Sequence, residues 1–199
     1  MAARSPLQWT GCGAAAIALI WLALFGKGLA GPSESDPANP VIRHSAFPVV
    51  LVWPWGALLA FIPKCFPAES VRGIARPTRW AYSIGCILCL LHVAVAFHLG
   101  HGWSARAAYE HTERVSGYGW GVYVNYLFVA IWIADAAWAW IALESYLHRP
   151  IGLSLLIAGS MAFLMINATI VFGHGAMRWA SLIALTSPWV LLLLNRRKK

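Results

Sequence analysis

From residue 80 to residue 101, "WAYSIGCILCLLHVAVAFHLGH", the chain runs 22 positions without an Asp, Glu, Lys or Arg. Crossing the hydrocarbon of a bilayer as a helix takes about 20 mostly apolar residues. No water reaches the backbone there, so a lone segment has to satisfy its own N–H and C=O groups, which it does as a helix. The pattern recurs at 12–30, 120–144, 151–173 and 176–194. A shorter stretch at 46–64 is interrupted by Pro48, Pro54 and Pro63, and reads as a kinked span or one that dips in and returns. The expected fold class is therefore all-α: a polytopic integral membrane helical bundle of six transmembrane helices, forming one membrane domain over 1–199.

Composition excludes the soluble alternatives. The chain is 60% hydrophobic and 11% charged, and its 12 tryptophans suit the two membrane interfaces, where an indole keeps its ring in lipid and its N–H in water. The net charge of +8 does not point to nucleic acid, because Lys and Arg flank apolar runs and fill the tail "NRRKK". The lipid bilayer is the partner these features imply, with a larger membrane complex as a further option. Cys12, Cys65, Cys86 and Cys89 show no disulfide-scaffold spacing and read as free thiols.

Cytoplasmic loops are enriched in Lys and Arg, which orients the bundle. With the N-terminus inside, ten basic residues fall inside (Arg4, Lys64, Arg72, Arg76, Arg79, Arg149 and the four from Arg196 to Lys199). Five fall outside: Lys27, Arg43, Arg106, Arg114 and Arg178. The expected location is the cell membrane, with both termini inside. Residues 1–30 have an alternative reading as a cleaved signal peptide, with Arg4 as its basic start and "GLA" at 28–30 as a small-residue cut site.

The loops "GPSESDPANPVIRH" and "PKCFPAESVRGIARPTR" read as irregular connections without a catalytic motif. "NAT" at 167–169 matches a glycosylation pattern but lies inside an apolar span. Residues 105–116 suit an amphipathic outer-surface helix, with Ser104 as N-cap and Arg106, Glu110 and Arg114 as an i, i+4, i+8 charge ladder.

On this topology five of the seven histidines lie at or near the outer face. His101 and His174 each sit in a "GHG" at the end of an outward-running helix. His98 precedes His101 by three residues and shares its face, whereas His92 is turned about 180° away and is not expected to share a site with it. Folding the surface helix back brings His111 over them. His98, His101, His111 and His174 are thus a candidate metal set, able to hold a transition metal ion or, from two helices, haem b. The competing reading is structural: glycine and histidine are ordinary residues at a helix C-terminus.

Asp135, in "WIADAAWAW", is the acid placed deepest in a span, a position that implies either a proton or ion pathway or a hydrogen-bonded structural role, with Trp132 and Trp138 as donors. Asn125, Asn167 and Glu110 are expected to support the site as second ligands or relay groups. Three function classes remain open: a haem- or metal-binding redox or metal-handling protein, a small transporter or channel using Asp135, and an assembly subunit without chemistry of its own.

Overall fold

The computed structural model describes residues 38–66, 68–171 and 175–196, and among these there is no strand. The helices are α1 (Ala38–Ala57), α2 (Ile62–Cys65), α3 (Ala68–Val95), α4 (Ala105–Ser116), α5 (Gly121–Ile141), α6 (Leu143–Leu147), α7 (Ile151–Ile166) and α8 (Gly175–Arg196). A 3₁₀ turn, Leu58–Phe61, joins α1 to α2, while π-helical turns, Ala96–Gly100 and Asn167–Val171, extend α3 and α7.

Four helical stretches are long and apolar enough to cross a membrane: Val41–Cys65, Ala68–Gly100, Gly121–Ile141 and Ile151–Ile170. The expectation of six is thus met for four. The span expected at 12–30 lies outside the described residues, and the one at 176–194 corresponds to α8, a 22-residue helix not among the four. Large apolar side chains face outward all around the bundle, Ile87, Leu127, Leu156, Phe163 and Ile183 among them, as a lipid solvent favours and water does not.

The proline-bearing segment is the centre of the bundle. Val50, Trp53, Leu59 and Ile62 are almost completely buried. Pro48 and Pro54 lie inside α1, and Pro63 falls in the first turn of α2, where a missing N–H leaves no helical bond unmade. The segment is one of the four stretches long and apolar enough to cross.

The loop expected at 63–79 is mostly helix, since α3 begins at Ala68 and carries Pro77 within it. Proline removes one backbone bond there, and Thr78 Oγ1 donates to the Ile74 carbonyl (2.7 Å) in the same turn. Ala75, fully buried against the α6 end of the bundle, supplies the packing that holds this stretch helical.

α1 packs most closely on α3. A Cβ at Gly56 would lie 2.5 Å from Tyr82 Cα, so only glycine permits this crossing. The core continues from Trp53 and Tyr82 to Trp132 and Met161, and a second cluster around Ile62, Ala75, Ala139 and Tyr146 fills the other end. Gly56→Val forces backbone apart from backbone and is expected to lower stability by about 1–3 kcal/mol or more. Thermal unfolding in detergent checks this; an unchanged midpoint would mean that α1 and α3 do not meet there.

Candidate functional site

At the end of the bundle carrying α4, a cavity of about 250 Å³ opens between α1, α3, α4, α5 and α7. Its walls are mostly apolar, from Val49, Val93, Phe128 and Met165, with His92, His101, Thr112, Asn125, Tyr126 and Thr169 as the polar groups. No charged side chain lines it among the described residues. An apolar pocket with a few convergent polar groups is the usual form of a small-molecule site.

His92 and His101 share this cavity, against expectation. Nine residues of regular helix separate two side chains by about half a turn, but a π turn absorbs an extra residue without the matching rotation. With Ala96–Gly100 in between, that half-turn separation no longer holds, and both imidazoles meet the same space. His98 does not share that face with His101, because the chain leaves the helix at His101 (φ −131°). It is exposed and accepts a bond from Trp103 Nε1 (3.1 Å). Trp103 follows Gly102 in the left-handed region, at φ 62° after φ 54°, and its N–H closes the helix end on the Phe97 carbonyl (3.0 Å).

α4 lies over the cavity with Ala108 and Thr112 turned into it. Its start is capped by Ser104 Oγ, which accepts from Ala107 N–H (3.2 Å), and its end by Gly117 at φ 78°. Outward, Arg106 and Glu110 pair at 2.8 Å. Inward, the His111 and His101 rings stand edge to face with centroids 5.2 Å apart. Below α4, exposed Trp103, Tyr118, Trp120 and Tyr123 ring this end of the bundle, as an interfacial aromatic belt does.

Two buried polar atoms at the cavity, His101 Nδ1 and Tyr126 Oη, have no hydrogen-bond partner among the described residues. His92 is held differently. Ser45 Oγ donates to the Ile42 carbonyl (2.8 Å) and lies 2.9 Å from His92 Nδ1. This contact ties the His92 ring to α1 through Nδ1, and which of the two ring nitrogens carries the proton follows from the tautomer.

Of the candidate metal residues, His101 and His111 come together, His98 does not join them, and His174 lies outside the described residues. Among the described residues no three His, Cys, Asp or Glu side chains form a metal-binding group. Asn125 reaches the cavity, Asn167 instead donates to the Phe163 carbonyl of its own helix (2.8 Å), and Glu110 is engaged with Arg106.

Asp135 belongs to a separate network at the α6 end. Arg149 Nη1 donates to Oδ1, while Tyr82 and Tyr146 hydroxyls donate to Oδ2 at 2.9 and 3.0 Å. Arg149 Nε reaches Ser154 Oγ (2.9 Å), and the guanidinium lies 4.2 Å from the Tyr146 ring centre. Trp132 and Trp138, the donors expected from the sequence, are not the partners; the Trp132 indole N–H is among the buried groups lacking one. Burial, then the Asp135 carboxylate, push the Tyr146 phenol well above its ordinary range, so it remains a donor. Both charged side chains are at most 2% exposed, and the void beside them, about 10 Å³, has room for no more than about one water.

The signal for Arg149 was only its proximity to a span end, and nothing in the sequence linked it to Asp135. A wider depression of about 520 Å³ at this end, bordered by Glu69, Arg72, Glu144 and His148, is formed largely by exposed side chains. No family model, curated protein or solved structure matches the chain.

Removing one member of a buried pair leaves the other charge uncompensated. Asp135→Asn and Arg149→Met are each expected to cost about 3–5 kcal/mol, and the double variant less than their sum. A double-mutant cycle on unfolding midpoints checks it, and strict additivity would mean the pair is not coupled.

Burial, and next the neighbouring His111, hold His101 below the ordinary imidazole range. The unfolded chain therefore binds a proton more readily than the folded one, and this site's contribution to stability is lost as pH falls below about 6.5. His111→Gln is expected to raise the His101 midpoint, read by NMR of histidine-labelled protein. A midpoint that stays put would mean the two rings do not face each other.

Proposed function

We propose that this chain is a multi-pass protein of the cell membrane that binds a small molecule in the cavity beneath α4. The carrying observation is the π turn at Ala96–Gly100, which turns His92 and His101 onto one apolar chamber; π turns inside α-helices occur often at functional sites. Six spans, both termini inside and α4 at the outer face complete the reading, supported by the ten-to-five distribution of Lys and Arg. Fusing a cytoplasm-dependent fluorescent reporter to the C-terminus tests the orientation, and a dark fusion active only as a periplasmic phosphatase would reverse it.

Haem b does not suit the described residues. The cavity is smaller than the roughly 300–1,000 Å³ of ordinary ligand pockets, and its two imidazoles come from one helix rather than from opposite sides. Asp135 is no better as an ion pathway, because both its oxygens are engaged by Arg149, Tyr82 and Tyr146. One further reading has a specific observation behind it: the 5.2 Å approach of His101 and His111 suits two nitrogen ligands of one transition metal ion at the cavity mouth.

Native mass spectrometry of protein released from nanodiscs is expected to show a small adduct that Ala168→Trp, which fills the chamber, removes. Elemental analysis and an absorbance spectrum of the same sample separate an organic ligand from metal and haem. A chain free of adducts, with Ala168→Trp unfolding no differently, would count against the site.

A further inference from the structure

We infer that the ligand of this cavity is a neutral single ring bearing a hydroxyl group, bound with that hydroxyl hydrogen-bonded to His92. The inference rests on the reading of the cavity as a binding site and specifies the chemistry it takes.

Size comes first. An apolar protein cavity of about 150 Å³ takes up benzene, whereas drug-sized ligands use about 300 Å³ or more. At about 250 Å³ this chamber holds one substituted ring. Charge comes next, since no Asp, Glu, Lys or Arg lines it among the described residues, and an ion in such surroundings would be left uncompensated. The ligand is neutral.

The polar groups then set its functional group. His92 lines the chamber with its Nδ1 engaged by Ser45 Oγ (2.9 Å). Thr112 Oγ1 donates to the Ala108 carbonyl (2.8 Å) and Thr169 Oγ1 to the Met165 carbonyl (2.7 Å), so both hydroxyls have spent their protons inside their own helices. The buried polar atoms of the chamber without a partner among the described residues are His101 Nδ1 and Tyr126 Oη, and each needs one. An O–H on the ligand meets that need. Tyr126 Oη, unpartnered at the same wall, both gives and takes a bond and can bind the ligand oxygen in turn.

A hydroxylated ring reaches the chamber either from the lipid, as the reduced headgroup of a prenylated quinol, or from water, as a free phenol. The bound chemistry is shared. The wall contributed by α3, α5 and α7 belongs to helices whose outer faces meet lipid, and the mouth lies under α4.

Binding of phenol and of its near-isostere toluene to the full-length protein in phosphatidylcholine nanodiscs, by isothermal titration, tests the inference. In the wild type both bind. In His92→Leu, phenol is expected to weaken by about tenfold or more while toluene changes by less than about twofold. Thr169→Val, which keeps the side-chain shape, gives a smaller loss confined to phenol and serves if His92→Leu does not fold. Equal losses for the two probes would overturn the hydroxyl assignment while leaving the cavity a binding site. Failure of both probes to bind the wild type would overturn the binding site itself. A singly prenylated benzoquinol binding more tightly than phenol, with the same His92 dependence, assigns the lipid as source; equal affinity assigns the free phenol.

Discussion

In an apolar solvent a backbone has to satisfy its own hydrogen bonds, and the apolar helices of this molecule are built within that limit. A loop cannot be laid through hydrocarbon to bring two side chains together. What remains is to alter the pitch of a helix that stays bonded throughout. The π turn at Ala96–Gly100 does this for α3, and Asn167–Val171 does it for α7, at the same end of the bundle and beside the same cavity. Positioning here is a matter of rotation about helix axes.

The two ends of the bundle treat their polar groups in opposite ways. Around Asp135 each carboxylate oxygen has donors, Arg149 is bonded at both Nε and Nη1, and Lys64 Nζ donates to the Ala60, Leu147 and Arg149 carbonyls at 3.3 Å, closing the α6 turn. Under α4, His101 Nδ1 and Tyr126 Oη have no partner among the described residues. A satisfied network fixes a packing arrangement, and an unsatisfied one is a place to bind. The deep acid that looks most reactive in the sequence is therefore the structural group, and the quiet histidine in the middle of α3 is the functional candidate.

The helices were legible because apolar run length is set by the bilayer and leaves a plain mark on composition; Ala68–Gly100, Gly121–Ile141 and Ile151–Ile170 cover three of the segments read from hydropathy alone. Prolines and arginines misled in 63–79, where the burial of Ala75 outweighs one lost backbone bond. The site was less legible. A π turn has no residue signature in "AFHLG" or "NATIV", so the 100° step separated His92 from His101 and joined His98 to it, the reverse of the observed arrangement. The Asp135–Arg149 pair was invisible because it depends on Ala142, whose φ of −141° breaks the helix and folds the following turn back under the bundle.

That break also bears on what the two charges cost. Asp135 precedes Arg149 by 14 residues, and an aspartate buried without that partner is costly in an apolar solvent. The guanidinium offsets that cost, together with the two tyrosine hydroxyls. The carboxylate and its counter-ion thus belong to one short stretch of chain, and separating the two at any point between them would leave a buried charge uncompensated.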